Sequence, residues 1–359
     1  MQEKIKIGYD PIYNYYPTHH GEIIRSTQND FEWKSIPGMV QNHYEESLLS
    51  DSADERVRFI SGGTLAADAC DWVFSPHILP LNPEQNNKVA MEIEAIGWLF
   101  GDTYEEVSQP VPQWKIDIFC RAIMNPSLVK ICWQSQSAYA QFTEFQVIYK
   151  LPTDVTEKIM SISSVLLPGS AITEKKTPDT SGNHLLATCT TDNFFRKGGD
   201  VLVTLVELLT KLNVPPWSLS IVGSMPNEFI KRISADNVHI YQSTDFKGFQ
   251  KRLDSADVFL FPSRADSFGL TAMEAMNHGL YVLSTSGKAV LATKEFLSDY
   301  PNHQIIESKG HDGTYDILDE QLFCTAVISL LQNPIKLQSF DSPCNLARLR
   351  KDVLSVFSS

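Results

Sequence analysis

The sequence predicts an α/β protein built from two domains around parallel, doubly wound sheets. Three observations carry this. Between residues 185 and 307, short apolar runs alternate with stretches of helical period, as in a parallel sheet with helices packed on its faces. The chain has 359 residues, too many for one ordinary core and enough for two α/β domains. Its 43% apolar and 20% charged content is that of a globular protein.

The second half reads element by element. Strands are expected at Leu185–Cys189, Leu219–Val222, Val238–Tyr241, Val258–Phe261, Val282–Ser284 and Gln304–Glu307. Helices are expected at Val201–Leu212, Phe229–Ile233, Phe246–Leu253 and Thr271–His278. The first of these shows its period in apolar residues at 201, 202, 205, 208, 209 and 212.

The first half is less regular. Lys4–Gly8, Val57–Ile60, Trp72–Phe74 and Val129–Trp133 read as strands, and Trp114–Ala122 as a helix. Met91–Phe100 also reads as a helix, with a strand as the alternative for part of it. Lys150–Asn183 contains VLLPGSAI and the polar run TEKKTPDTSGN, which reads as a linker and surface loop. The expected division is 1–165 for a first domain and 166–340 for a second. Residues 341–359 then hold a last helix, Asn345–Phe357, that folds back onto the first domain.

Composition excludes several classes. A net charge of −13 argues against nucleic acid as a general partner. No run of 18 apolar residues exists, so no transmembrane helix is expected, and only a peripheral membrane contact stays open. The start, MQEKIKIGYD, has no apolar core of a signal peptide. Six cysteines without C-x-x-C spacing read as free thiols in a reducing compartment, hence the cytoplasm. No D-x-D motif appears, and no histidines and acids cluster along the chain at ligand spacing, so neither a metal ion nor a cofactor is expected. Walker, nucleophile-elbow and kinase signatures are absent too.

The most informative stretch is Phe259–Gly279, FLFPSRADSFGLTAMEAMNHG. A strand runs into a Pro-Ser turn, then Asp266, then Phe268 and Gly269, then a helix carrying Glu274. Seven residues stand between the two acids. A strand end, a glycine turn and a helix start form a site for anions, and the acids add acceptors for hydroxyl groups. A phosphorylated, hydroxyl-rich ligand such as a nucleotide sugar suits this set. The backbone N–H groups of Gly269, Leu270 and Thr271 are candidate phosphate donors. Glu274 lies on an apolar helix face and needs partners there. Lys197 follows a strand and precedes a helix, where a cation neutralises a leaving diphosphate. Arg196 is its alternative or partner. Asp266 also suits an Asx turn. Gly223 ends a strand either where a backbone approaches a ligand or as a plain turn residue.

These residues resemble a known family. PSRADSFGLTAMEAMNHG is similar to the donor-site motif of family-four retaining glycosyltransferases, which have the GT-B fold. FFRKGGDVLVTLVELL (194–209) resembles that family's Lys-Gly segment, and LSIVGSMP (219–226) its strand–Gly–x–x–Pro element. LDSADVFLFPS resembles the approach to the acid motif. ICWQSQSA (131–138) is a weaker likeness in the first half. The resemblance implies two Rossmann-like domains facing across a cleft, with the donor mainly on the second and the acceptor entering from the first. It implies metal-independent, retaining transfer from a nucleotide diphosphate sugar to a carbohydrate or glycolipid acceptor, in polysaccharide biosynthesis. It assigns Lys197 and Arg196 to the leaving diphosphate, Asp266 to the sugar and Glu274 to the ribose. Gly223, Ser263, Phe268, Gly269, Leu270 and Thr271 complete the donor contacts. It also implies a first-domain histidine near the donor sugar, for which His77, His19 and His20 are candidates. The aromatic residues Tyr9, Tyr13, Tyr15 and Tyr16 after the first strand suit sugar stacking or loop packing.

Four departures stand out. Asp266 is shorter than the family's usual Glu, Tyr281 replaces a proline, a Gly-Arg pair upstream of Lys197 is missing, and the first loop offers Gly21 alone. They leave open a non-catalytic subunit of the same fold that binds a partner transferase or carbohydrate.

Overall fold

The computed structural model describes residues 3–11, 19–41, 62–65, 69–82, 86–100, 111–171, 183–242, 245–312, 315–333 and 336–358. The expected strand at Val57–Ile60, the residues Tyr13, Tyr15 and Tyr16, and most of the polar run 173–183 lie outside them. The chain divides into two units, Met1–Gly169 with Leu346–Ser359, and Ser170–Asn345. The division thus falls after residues 169 and 345, where the sequence places it after 165 and 340.

Among the described residues, the main sheet of the first unit has six strands: β1 (Lys6–Tyr9), β2 (Glu32–Ser35), β3 (Trp72–Pro76), β4 (Lys88–Ile93), β5 (Leu128–Trp133) and β6 (Ser163–Val165). They form one parallel sheet in the order β2-β1-β3-β4-β5-β6. Its helices include α1 (His19–Thr27), α2 (Gln113–Ile123), α3 (Gln136–Ile148) and α4 (Thr153–Ile162). Ile116, Phe119 and Ile123 form the apolar stripe of α2 and meet Phe142 and Phe145 of α3 and Ile159 of α4 in the core.

Two expectations fail here for physical reasons. Met91–Phe100 is no helix: Val89–Ile93 is buried between β3 and β5, so a strand covered on both faces is apolar throughout and loses its alternation. Only a 3-10 turn, Ile96–Phe100, follows it. The stretch read as a linker from Lys150 contains α4 and β6. Helix α4 buries just Val155 and Ile159, one short stripe that periodicity barely registers.

The last helix, α11 (Leu346–Phe357), belongs to the first unit. Leu349, Val353, Val356 and Phe357 pack with Ile7, Ile23, Phe31, Trp72 and Phe74. The Phe357 ring meets Phe31, Trp33 and Trp72 edge-on, with centroids 5.6, 5.8 and 5.2 Å apart. Such geometry matches ring edge to ring face. The exposed Arg350–Asp30 pair, at 2.9 and 2.8 Å, adds orientation more than stability. Burial of Phe357 is therefore the anchor.

The second unit repeats the plan. Strands β7 (His184–Cys189), β8 (Ser218–Gly223), β9 (Val238–Tyr241), β10 (Val258–Phe261), β11 (Tyr281–Ser286) and β12 (His303–Glu307) form a parallel sheet in the order β9-β8-β7-β10-β11-β12. Helices α5 (Gly199–Lys211), α6 (Asn227–Arg232), α7 (Phe246–Ser255), α8 (Leu270–Asn277), α9 (Thr293–Leu297) and α10 (Glu320–Gln332) connect or cover them. The Asn277 amide ties the two ends of the unit, donating to Ser170 Oγ at 2.7 Å and the Cys344 carbonyl at 2.9 Å.

Each sheet has one topological switch point. In the second unit it lies between β7 and β10, whose onward connections leave in opposite directions; in the first it lies between β1 and β3. Crevices outside the carboxyl ends of such strands are where α/β folds bind ligands.

Phe357→Ala should cost about 3–5 kcal/mol of first-unit stability, the usual loss for a buried phenylalanine. Chemical denaturation followed by tryptophan fluorescence reads it out, and an unmoved midpoint would deny α11 its anchoring role.

Candidate active site

The second unit's switch point is built from two loops pressed together. One follows β7 and carries Arg196, Lys197 and Gly198; the other follows β10 and carries Ser263, Arg264, Ala265 and Asp266. Gly198 has φ 68°, and a Cβ there would stand 2.0 Å from the Pro262 carbonyl oxygen. Only glycine allows both the left-handed turn and that approach. The Arg264 N–H donates to the Arg196 carbonyl at 2.7 Å. The Arg196 guanidinium donates to the Ala265 carbonyl at 3.1 Å and the Asn193 side chain at 3.0 Å.

This closure brings Lys197 onto Asp266. The ammonium pairs with Asp266 Oδ2, the two side chains being 23% and 11% exposed. It also stands 5.7 Å from the centre of the Phe261 ring. Asp266 Oδ1 accepts the Gly269 N–H at 2.7 Å. The Asp266 backbone is fixed as well: its N–H donates to the Ala289 carbonyl at 2.9 Å, and its carbonyl accepts from Leu291 at 3.0 Å. Helix α8 begins at Leu270, after Gly269 in the left-handed region at φ 83°.

Several expected site residues have structural duties. The Gly269 amide belongs to the Asp266 carboxylate, so of the three expected phosphate donors Leu270 and Thr271 are left. As first-turn residues of α8 they have N–H groups with no acceptor inside the helix. Ser263 is buried with its Oγ 3.2 Å from the Arg196 carbonyl and 3.0 Å from that of Ala265, joining the two loops. Phe268 is core, stacked on Phe296 at 5.1 Å. Gly223 has φ 119°, and its missing Cβ makes way for the Cys189 carbonyl, which such a carbon would meet at 1.7 Å. The close approach is that of the neighbouring strand. Glu274 is buried in α8 among Ala272, Met273, Ala275 and Met276.

Sequence reasoning passed over the clamp behind these loops. Arg264 forks onto Asp200 at 2.7 and 2.9 Å and reaches Glu320 at 2.7 Å. Burial opposes its charge, and the two carboxylates outweigh burial and hold its pKa above the ordinary range. The Asp316 carboxylate accepts the Ala289 and Val290 amides at 2.9 and 3.1 Å and so fixes the segment that holds Asp266. Burial pushes its carboxyl above the usual range despite those amides. No local motif marks Arg264 or Asp316, because their partners lie tens of residues away.

The first-unit histidines gather at the other switch point. His77 is buried with φ 57°; its N–H donates to the Glu92 carbonyl at 2.8 Å, and its Nδ1 accepts from the Glu94 N–H at 3.4 Å. His19 Nε2 lies 2.6 Å from Glu92 Oε1, and His20 Nε2 lies 2.7 Å from Glu92 Oε2. Burial would raise the Glu92 carboxyl, yet the two imidazoles together hold it well below the carboxylate range. Burial lowers the His20 pKa against the pull of Glu92. Histidines and an acid with no ligand spacing along the chain thus meet in three dimensions: Glu92 is more than 70 residues from both histidines.

Comparisons with known proteins agree with this architecture. Residues 183–333, most of the second unit, match the family described as "Glycosyl transferases group 1", so the resemblance read from the sequence is borne out there. An "Uncharacterized 41.2 kDa protein in cps region" of Klebsiella pneumoniae is 27% identical over 124 residues, which is 34% of this chain. The chain matches only 33% of that relative's length. Among solved structures, WaaG, "a glycosyltransferase involved in lipopolysaccharide biosynthesis", superposes with a TM-score of 0.56 at 16% identity, covering 98% of this chain and 100% of its own. The apo form of WaaB, a "lipopolysaccharide outer core galactosyltransferase", gives 0.52 at 11% identity over 99% and 95%. The fold is therefore that of the GT-B glycosyltransferases, and residues 183–333 are similar to the group 1 glycosyl transferases. Among the described residues no helix is long and apolar enough to cross a membrane.

Gly198→Ala should separate the two loops. The clash with Pro262 and the positive φ together predict a loss of about 2 kcal/mol or more. A melting curve that matches the unsubstituted protein would show that the loops close without this glycine.

Proposed function

We propose that this protein is a retaining glycosyltransferase that moves a sugar from a nucleotide diphosphate sugar to a carbohydrate or lipid-linked acceptor in polysaccharide biosynthesis, with no metal ion at the diphosphate. One observation carries the reading. Lys197, Asp266 and the open N–H groups of Leu270 and Thr271 converge at the carboxyl-end crevice of a domain of the group 1 family. The names of the two solved neighbours, both from lipopolysaccharide assembly, support the substrate class.

The chemistry follows from the charges. A departing nucleoside diphosphate gathers negative charge, which the Lys197 ammonium and the first amides of α8 stabilise. The diphosphate competes with Asp266 for that ammonium. Asp266, relieved of its partner, faces the hydroxyls of the sugar, while Gly269 keeps the loop in shape. Glu274, on an otherwise apolar helix face, accepts from the ribose hydroxyls. Bond cleavage leaves an oxocarbenium-like sugar. The acceptor oxygen attacks from the face the diphosphate leaves, and the diphosphate takes the proton. Arg196 contributes mainly through the loop, since its guanidinium holds Ala265 and Asn193. A cytoplasmic location is part of this proposal, in keeping with six free cysteines.

Lys197→Ala should lower turnover at least about tenfold, since a charge-assisted contact to a leaving group contributes a kcal/mol or more. Release of nucleoside diphosphate measures it, and unchanged kinetics would remove Lys197 from the reaction. Glu274→Ala should weaken donor binding about tenfold or more, with calorimetry as the readout; equal affinity would refute the ribose contact. If a panel of nucleotide sugars binds but no acceptor gains a sugar, the chain is a non-catalytic binder of the same fold.

A further inference from the structure

We propose that His19, His20 and Glu92 form a buried binding site for one divalent transition-metal ion of the zinc type. This goes beyond the transferase reading and does not depend on it.

The cluster has the right donors in one place. Two imidazole nitrogens from the start of α1 and one carboxylate oxygen from the carboxyl end of β4 all lie within 4.8 Å of one another. The two Nε2 atoms address different oxygens of the same carboxylate, at 2.6 and 2.7 Å. Zinc sites use this set, two histidines and one carboxylate, with bonds near 2.0–2.2 Å. Tetrahedral ligands on such an ion stand roughly 3.3 Å apart, so entry of the ion requires each histidine–carboxylate pair to open by well under an ångström. Imidazoles favour zinc-like ions over magnesium or calcium, which take oxygen ligands.

Burial supplies the physical need. Side chains of His19 and Glu92 are 0% exposed and that of His20 is 2% exposed. A carboxylate out of water is costly unless a cation compensates it. Among the described residues no Lys or Arg pairs with Glu92. A metal ion resolves this: it takes both histidines neutral and the carboxylate ionised.

A cavity of about 10 Å³, the space of one water, touches the cluster at His20 and is lined also by Tyr9, Asp10, Phe74 and Pro76. Three protein ligands and one water complete a tetrahedron. The sheet explains the assembly. β1 delivers the start of α1, and β4 presents Glu92 with Cys132 and Pro76 beside it in register.

The test uses the whole chain, freed of metal by a chelator and dialysed, then titrated with Zn²⁺ and separately with Co²⁺. The expected result is one equivalent of tight binding, the visible ligand-field absorption of tetrahedral cobalt, and a melting point that rises with free Zn²⁺ by mass action. Glu92→Gln and His20→Ala should each weaken binding more than about 100-fold, beyond the 10- to 100-fold typical of outer-shell partners. The unsubstituted protein decides the matter even if a variant fails to fold. Substoichiometric binding, absence of the cobalt spectrum, or full binding by Glu92→Gln would each overturn the site; the last would mean an adventitious ion held elsewhere, for instance by cysteines.

Discussion

The candidate active site depends on one carboxylate. Asp266 divides its two oxygens between the Gly269 amide and the Lys197 ammonium. The first contact shapes the turn that starts α8; the second ties the loop after β7 to the loop after β10. Its backbone is in turn held by the segment 289–291, and that segment by Asp316. An aspartate at this position is short enough to cap the turn while its other oxygen still meets the lysine. Polar contacts of this kind add little net stability each, yet leaving one partner unpaired in a buried loop is expensive. The loops are therefore fixed as a set.

Both units place chemistry at the same topological position. In the second, Lys197 and Asp266 follow the two strands that flank the switch point. In the first, His19, His20 and His77 follow the corresponding pair, with Glu92 on the next strand. A parallel sheet makes this recur, because its connections diverge there and leave backbone ends and helix starts around a crevice. The two crevices are filled differently. One carries a cation against an acid beside open amides; the other is a closed set of imidazoles around a carboxylate, shielded from water.

Legibility followed the chemistry of each element. The second unit was readable almost strand by strand, since its strands are short apolar runs set between helices with a clean stripe. Val238–Tyr241 and Val258–Phe261 have the expected limits. The first unit was harder. β4, covered on both faces, has no alternation to separate it from a helix, and α1 opens with polar histidines that hide its inward face. Lys197, Asp266 and Glu274 stand out in the sequence because a glycine turn and a helix start surround them. Ser263, Phe268 and Gly223 were legible as positions but not in their duties, which depend on which backbone lies opposite.

Local pattern alone determined the α/β class, the alternation of the second unit and the stretch that carries the acids. Those properties arise from near neighbours along the chain, through periodicity, turn residues and helix starts. Tertiary structure alone decided that Lys197 meets Asp266, that Arg264 clamps Asp200 and Glu320, and that Glu92 receives two histidines. Each of these joins residues far apart in sequence, and burial, not spacing, makes such partners obligatory: a charge removed from water must find its counterpart wherever the fold supplies one.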